Sequence, residues 1–236
     1  MKLLNIDANA KTVKGQKKGY MTAILYLAPY NVSGYQVCPL AELAGCVNDC
    51  LFTAGRGAMK NVKDSRIAKT RLFFEDRSKF MTMLLDEISS AQRKAEKDGF
   101  TLVVRLNGTS DISWERVPVG GKKNIMEVFP EIQFYDYTKV PNRRNLPKNY
   151  HLTFSYSARS AFSKIVKKAL NHYGKSINLA AVFKGKTLPK TFLGRDVINA
   201  DETDLRFTDP TGTVAGLIAK GKARKSNDGF VVELAN

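Results

Sequence analysis

The chain has 236 residues, 43% of them hydrophobic, enough to bury one sizeable core. Its 38 lysines and arginines against 22 acidic residues leave a net charge of +16, which points to polyanionic partners, nucleic acid first. No apolar run is long enough to cross a bilayer and no basic amphipathic segment stands out, so a membrane role is not expected.

In chain order, residues 1–19 form a basic, polar N-terminal segment. Residues 21–28 (MTAILYLA) carry the apolar pattern of a buried strand that Pro29 ends, and residues 31–34 form a turn. All three cysteines then fall between Tyr35 and Gly57, as Cys38, Cys46 and Cys50 in the pattern C-x7-C-x3-C. A helical reading of AGCVNDC puts Cys46 and Cys50 one turn apart on one face, while Pro39 keeps Cys38 in extended or turn backbone. Three thiolates could therefore converge on one point. A structural zinc site would need a fourth ligand, with only His151 and His172 to offer it. An iron–sulfur cubane held by three cysteines would keep one iron open for a ligand. Three separate buried thiols are the plain alternative. A disulfide is not expected, because the count is odd and the first residues do not read as a secretory leader, so that a reducing cytoplasm is the expected compartment. The stretch closes on Ala54-Gly55-Arg56-Gly57, either a helix-ending turn or backbone that approaches a ligand closely.

Residues 65–98 read as one amphipathic helix ended by Gly99. A strand at 101–106 runs into the small polar loop Asn107, Gly108, Thr109, Ser110, Asp111, of the kind that binds ligands in parallel α/β folds and also caps helices. A short helix at 124–129, a strand at 132–137 entering Thr138-Lys139, a loop at 141–147 and a strand at 150–156 follow. Residues 161–173 form a helix with Lys164, Lys167 and Lys168 on a solvated face, and residues 177–183 a further strand. Residues 190–236 read as a β-rich extension, with Asp201, Asp204, Arg206 and Asp209 inside it and a last strand at 230–234. The alternation implies a single α/β domain over residues 1–236, a partial or irregular parallel (β/α) barrel. In such folds the polar strand ends share one rim: the cysteine stretch, Asn107 to Asp111, Tyr137 to Lys139, Ser155 to Ser157, and Lys184-Gly185.

The cysteine cluster CPxA…GCxxxCL with its GRG turn, the NGTSD loop, FYDYTK, YHLTFS and the closing DETDLRFTDPTGTVAGLIAKG resemble the bacteriophage gene-88 protein family over about Tyr26 to Gly221. The arrangement is in turn distantly similar to radical S-adenosylmethionine barrels, though their usual spacing is CxxxCxxC. That resemblance implies that Cys38, Cys46 and Cys50 hold a 4Fe–4S cluster whose open iron chelates S-adenosylmethionine. It implies that Asn107, Gly108, Thr109, Ser110 and Asp111 contact the methionine or ribose part of that cofactor, and that Tyr137, Lys139 and Ser155 line the same rim. An electron donor would then be a partner and the host cytoplasm the place of action.

Three functions are open. The first is a radical S-adenosylmethionine-like iron–sulfur enzyme acting on nucleic acid or a nucleotide. The second is a non-catalytic, basic nucleic-acid-binding or replication protein with a structural metal site, in which Tyr135, Tyr137, Tyr150 and Phe154 stack on bases. The third is a magnesium-dependent hydrolase using Asp201, Asp204 and Asp209, against which stand simple capped turns with Arg206 paired to a neighbouring aspartate.

Overall fold

The computed structural model describes residues 1–234 apart from 8, 51, 53, 54 and 122. Its elements are β1 (Leu4–Ile6), α1 (Ala10–Gln16), β2 (Tyr20–Leu25), α2 (Tyr30–Ser33), α3 (Lys60–Glu75), α4 (Arg77–Lys97) and β3 (Thr101–Arg105). A small hairpin of β4 (Pro118–Gly120) and β5 (Lys123–Asn124) leads to α5 (Ile125–Val128), β6 (Gln133–Thr138), β7 (Tyr150–Ser155), α6 (Ser163–Tyr173) and β8 (Leu179–Phe183). The chain then adds β9 (Thr191–Phe192), β10 (Arg195–Asn199) and β11 (Val214–Ile218).

Nine strands make one sheet in the order β1-β2-β3-β6-β7-β8-β11-β10-β9, parallel from β2 through β10 and antiparallel at both edges. From β2 to β8 each new parallel strand is laid beside the last on the same side, the progression of a barrel. The sheet nevertheless stays open: among the described residues β1 and β9 end it, and no closed (β/α) barrel is found. The edge at β1 is covered where Glu87 on α4 accepts from the Leu3 and Leu4 amides, at 2.6 and 2.7 Å. The expected β-rich extension is not separate, since residues 191–218 supply β9 to β11 of the same sheet.

Alternation along the strands separates two faces. On one, Met21, Ala23, Leu25, Leu102, Val104 and Phe134 meet Phe80, Leu84 and Ile88 of α4, and further along Phe154, Leu179 and Ala181 meet Phe162, Val166 and Ala169 at α6. The opposite face carries Val103, Tyr135, Ala180 and Ala215, against which Leu205, Phe207 and Ala200 pack. The segment that reads as a carboxylate-rich loop is thus the lid of the second face.

Several local expectations are corrected. The helix expected over 65–98 is two helices, because Asp76 leaves helical torsions (φ −141°, ψ 74°) and caps α4 through the Lys79 amide at 3.0 Å. AGCVNDC is not helical: Gly45 adopts φ +71° and the run is a series of turns, so Cys46 and Cys50 share no helix face. The expected strand at 230–234 is a single bridge between Val232 and Phe183. The turn at 54–57 is a 3₁₀ helix, Gly55–Ala58, leading into α3, with Ala54 outside the described residues. Tyr135, Tyr150 and Phe154, expected as stacking platforms, are at most 5% exposed.

Candidate functional site

The carboxyl ends of β2, β3, β6 and β7 surround one cavity of about 170 Å³. Cys38, Cys46 and Cys50 all line it, together with Asn107, Gly108, Thr109, Ser110 and Asp111 from the end of β3, Tyr137 and Lys139 from β6, and Ser155 from β7. The residues that the resemblance assigns to the cluster and its cofactor are therefore all on the wall of the same space. Arg105, which the sequence reading passed over, lines it too.

The loop after β2 reaches this position because it is pinned along its length. Val37 and Ala44 are buried as anchors. The Val37 carbonyl accepts from the Asp111 amide at 2.8 Å, and the Ala44 carbonyl accepts from the Ser157 hydroxyl at 2.7 Å. Between the anchors, turns are held by Ala44 N–H to Leu40 and Cys46 N–H to Ala41. Each thiol is half-buried and in no disulfide. Cys38 Sγ lies 3.8 Å from the Thr109 carbonyl and Cys46 Sγ 3.6 Å from that of Ala41, while the Phe52 amide donates to Cys50 Sγ at 3.5 Å.

Asn107 is the framework of the polar loop. Its Oδ1 accepts from Ser110 Oγ (2.8 Å), the Ile112 amide (2.9 Å) and Trp114 Nε1 (3.1 Å). Its Nδ2 donates to the Ile112 carbonyl (2.9 Å) and Asp136 (3.3 Å). That side chain is fully engaged in shaping the loop. Thr109 Oγ1 donates to the Leu27 carbonyl at 2.6 Å. Gly108 lies so close to β2 that a Cβ there would sit 2.7 Å from the Leu25 carbonyl oxygen and 2.6 Å from the Tyr26 ring. Only glycine fits that approach.

Asp111 accepts from the Lys139 amide through Oδ2 at 2.7 Å, whereas its buried Oδ1 has no hydrogen-bond partner among the described residues. Lys139 Nζ donates to the Ser155 hydroxyl (2.9 Å) and carbonyl (3.2 Å), and lies 4.8 Å from the centre of the Phe230 ring. Arg66 of α3 lies over Tyr26 at 4.7 Å and faces Cys50, with its Nη1 unpartnered among the described residues. Arg105 pairs with Asp204 at 2.9 Å and lies 4.8 Å from the Tyr137 ring centre.

Burial pushes the ionisable groups of this wall toward their neutral forms. It raises all three thiols; the Asp111 charge pushes Cys38 up further, whereas Lys139 opposes the rise at Cys46 and Arg66 that at Cys50. Burial likewise raises Asp111, against the Lys139 amide, and lowers Lys139, against the charges of Cys46 and Asp111. The thiols surround the cavity without being drawn onto one coordination point: among the described residues no three His, Cys, Asp or Glu side chains are gathered closely enough to hold a metal ion.

The other candidates lie elsewhere. His151 is on the opposite face beside Thr153, and His172 meets the Arg143 carbonyl at 3.1 Å; neither lines the cavity. Asp201 pairs with Lys11 and Lys220, Asp204 with Arg105 and Asp209 with Arg206, so each carboxylate of the proposed magnesium site is already matched by a cation.

The family model described as Gene product 88 matches residues 1–233. The chain belongs to the Gene product 88 family. No curated protein and no solved structure is significantly similar to this Gene product 88 protein. Among its described residues no helix is long and apolar enough to cross a membrane.

Proposed function

We propose that this Gene product 88 protein is a radical S-adenosylmethionine-like iron–sulfur enzyme that acts on nucleic acid or a nucleotide. The observation that carries the reading is the meeting of three thiols, none of them in a disulfide, and three polar strand ends around one cavity of about 170 Å³ at the carboxyl edge of parallel strands. In number and chemistry the donors suit the group, since three sulfurs are the number that leaves one iron of a four-iron cluster open, and binding would have to draw the three together. Bound there, a cluster with S-adenosylmethionine would supply one-electron cleavage of the sulfonium. Cys38, Cys46 and Cys50 would hold the metal, and Lys139 and Arg66 would stabilise the thiolates it requires. Asp111 Oδ1 offers an acceptor to an ammonium or hydroxyl of the cofactor. Thr109, Ser110, Tyr137 and Ser155 would orient the cofactor along the wall, with Asn107 and Gly108 holding the loop in shape.

The test is purification and reconstitution without oxygen, followed by iron and sulfide analysis, absorbance spectra and S-adenosylmethionine binding. A brown protein with about four irons, its colour lost in Cys46→Ala, is expected. A colourless protein that takes up zinc stoichiometrically sinks the reading. The net charge of +16 favours a second one, a non-catalytic nucleic-acid-binding or replication protein with a structural metal site. In that case Cys46→Ala would lower the thermal midpoint rather than leave a folded, metal-free protein.

A further inference from the structure

The carboxyl edge of the sheet carries more than the cavity. The segment leaving β7 bears Arg159, the turn leaving β8 bears Lys186, and the 3₁₀ helix that follows β11, Gly221–Lys225, bears Lys222, Arg224 and Lys225. All five side chains are exposed, and among the described residues none has a carboxylate within 4.0 Å. Their neighbours Lys184 and Lys220 are, by contrast, neutralised by Glu233 and Asp201. The basic turn is held rigidly: Ala223 at its centre is buried with Ala219 and Val231, and Arg224 Nε donates to the Ala219 carbonyl at 3.3 Å.

This surface is continuous with the cysteine loop. The segment after the turn passes Arg159, with the Gly229 Cα facing the Arg159 backbone, and Asn48 Nδ2 donates to Asp228 at 3.3 Å. Arg159 itself donates to the Glu42 carbonyl, three residues before Gly45. Phe230 of the same segment stands beside Lys139 on the cavity wall. Another exposed basic face, Lys164, Lys167 and Lys168, lies along α6 in the helix layer instead of on the strand-end edge.

We infer that Arg159, Lys186, Lys222, Arg224 and Lys225 form the track along which the phosphate backbone of a single-stranded nucleic acid lies beside the cavity. Unmatched, spaced cations on a fixed scaffold suit a repeating phosphate chain. A single strand is the form that fits, because a duplex keeps its bases stacked away from a recessed site. This rests on the nucleic-acid reading of the site above and adds the surface that delivers the strand to it.

The test is fluorescence anisotropy with labelled single-stranded DNA and RNA oligonucleotides, titrated at several salt concentrations. Wild-type protein is compared with Lys222→Ala/Arg224→Ala/Lys225→Ala and with Lys164→Ala/Lys167→Ala/Lys168→Ala. With a slope of about −0.7 per phosphate contact on single strands, the first variant should weaken binding on the order of 100-fold at 0.1 M salt and flatten the salt slope by about 2. The α6 variant should bind like wild type, and circular dichroism should show both folded. Equal loss in the α6 variant, no binding by wild type, or binding only to phosphatidylglycerol vesicles overturns the inference. Iron and sulfide content measured on the same preparations separates the two readings: a loaded cluster without oligonucleotide binding removes only the track, and binding without a cluster removes only the enzyme.

Discussion

Asn107→Asp is the substitution whose cost can be worked most directly from the geometry. The change keeps Oδ1, which serves Ser110, Ile112 and Trp114, and replaces the amide nitrogen by an oxygen 3.3 Å from Asp136 Oδ2. Asp136 is fully buried, and burial raises its pKa to about 7 against the opposing charge of Arg105. The folded wild-type protein therefore keeps a proton that the unfolded chain sheds near pH 4, and its stability falls as pH rises from there toward 7. In the variant the two carboxyls share one proton at pH 5, and the cost is the lost donor to Ile112, about 1–3 kcal/mol. At pH 8.5 two carboxylates face each other, and at an effective dielectric constant of about 20 their repulsion adds roughly 5 kcal/mol. That is comparable to the whole stability of many domains, about 5–15 kcal/mol. Urea denaturation across this pH range measures the difference. Asn107→Leu is the control, since it strands the Trp114 and Ile112 N–H groups equally at every pH. Parallel pH profiles for the two variants would refute the reasoning.

Gly108→Ala should cost about 1–3 kcal/mol through overpacking against the Leu25 carbonyl, read calorimetrically as a fall of roughly 2–4 °C per kcal/mol; an unchanged midpoint would show that β2 yields there. In Asp201→Asn the loss should be about 1 kcal/mol at neutral pH, as expected for partly exposed pairs with Lys11 and Lys220. Those lysines hold the Asp201 pKa down at about 2, so its contribution is complete above the ordinary carboxylate range and disappears as pH falls toward 2. The stability curves of the wild type and this variant should merge there. Because burial keeps the thiols protonated, loading the metal-free protein with cadmium at pH 7.5 should release about three protons per ion in a weakly buffered titration. Release of fewer than one would mean that the sulfurs do not ligate together.

The strands were legible because apolar runs bounded by turn residues report burial directly, as in TLVVR and LAAVF. The meeting of the cysteines with the loops at 107–111 and 137–139 followed from one rule, that parallel strands present their carboxyl ends on one edge. Periodicity failed where a single residue decides the backbone. Asp76 breaks an apolar stripe that runs unbroken through Phe73 and Phe80, and Gly45 turns a helix-compatible heptapeptide into turns. Of the aspartates at 201, 204 and 209, the pairing of Asp209 with Arg206 was legible as a local turn, whereas the partners Lys11 of Asp201 and Arg105 of Asp204 were not, because they lie about a hundred residues or more away. Arg66 and Arg105 carried no local signal either, since a cation beside a thiol or beneath a tyrosine is visible only once the elements have met.

The buried groups of the cavity set a condition on whatever binds there. Desolvation shifts the thiols, Asp111 and Lys139 toward their neutral forms, and an opposite charge close by shifts each back toward its ionised form. A metal cation supplies that charge to the sulfurs and so turns the groups hardest to ionise into its ligands. The thiolates so formed in turn raise Lys139, favouring its charged form beside Ser155. Asp111 completes the sequence, since a charged Lys139 and a cationic ligand at its free Oδ1 both favour the carboxylate. Ionisation of the wall is therefore coupled to occupancy: Lys139→Met should weaken metal retention and shift its pH dependence upward while the fold persists. Equal metal affinity and an identical pH profile in that variant would show that the lysine charge does not reach the sulfurs.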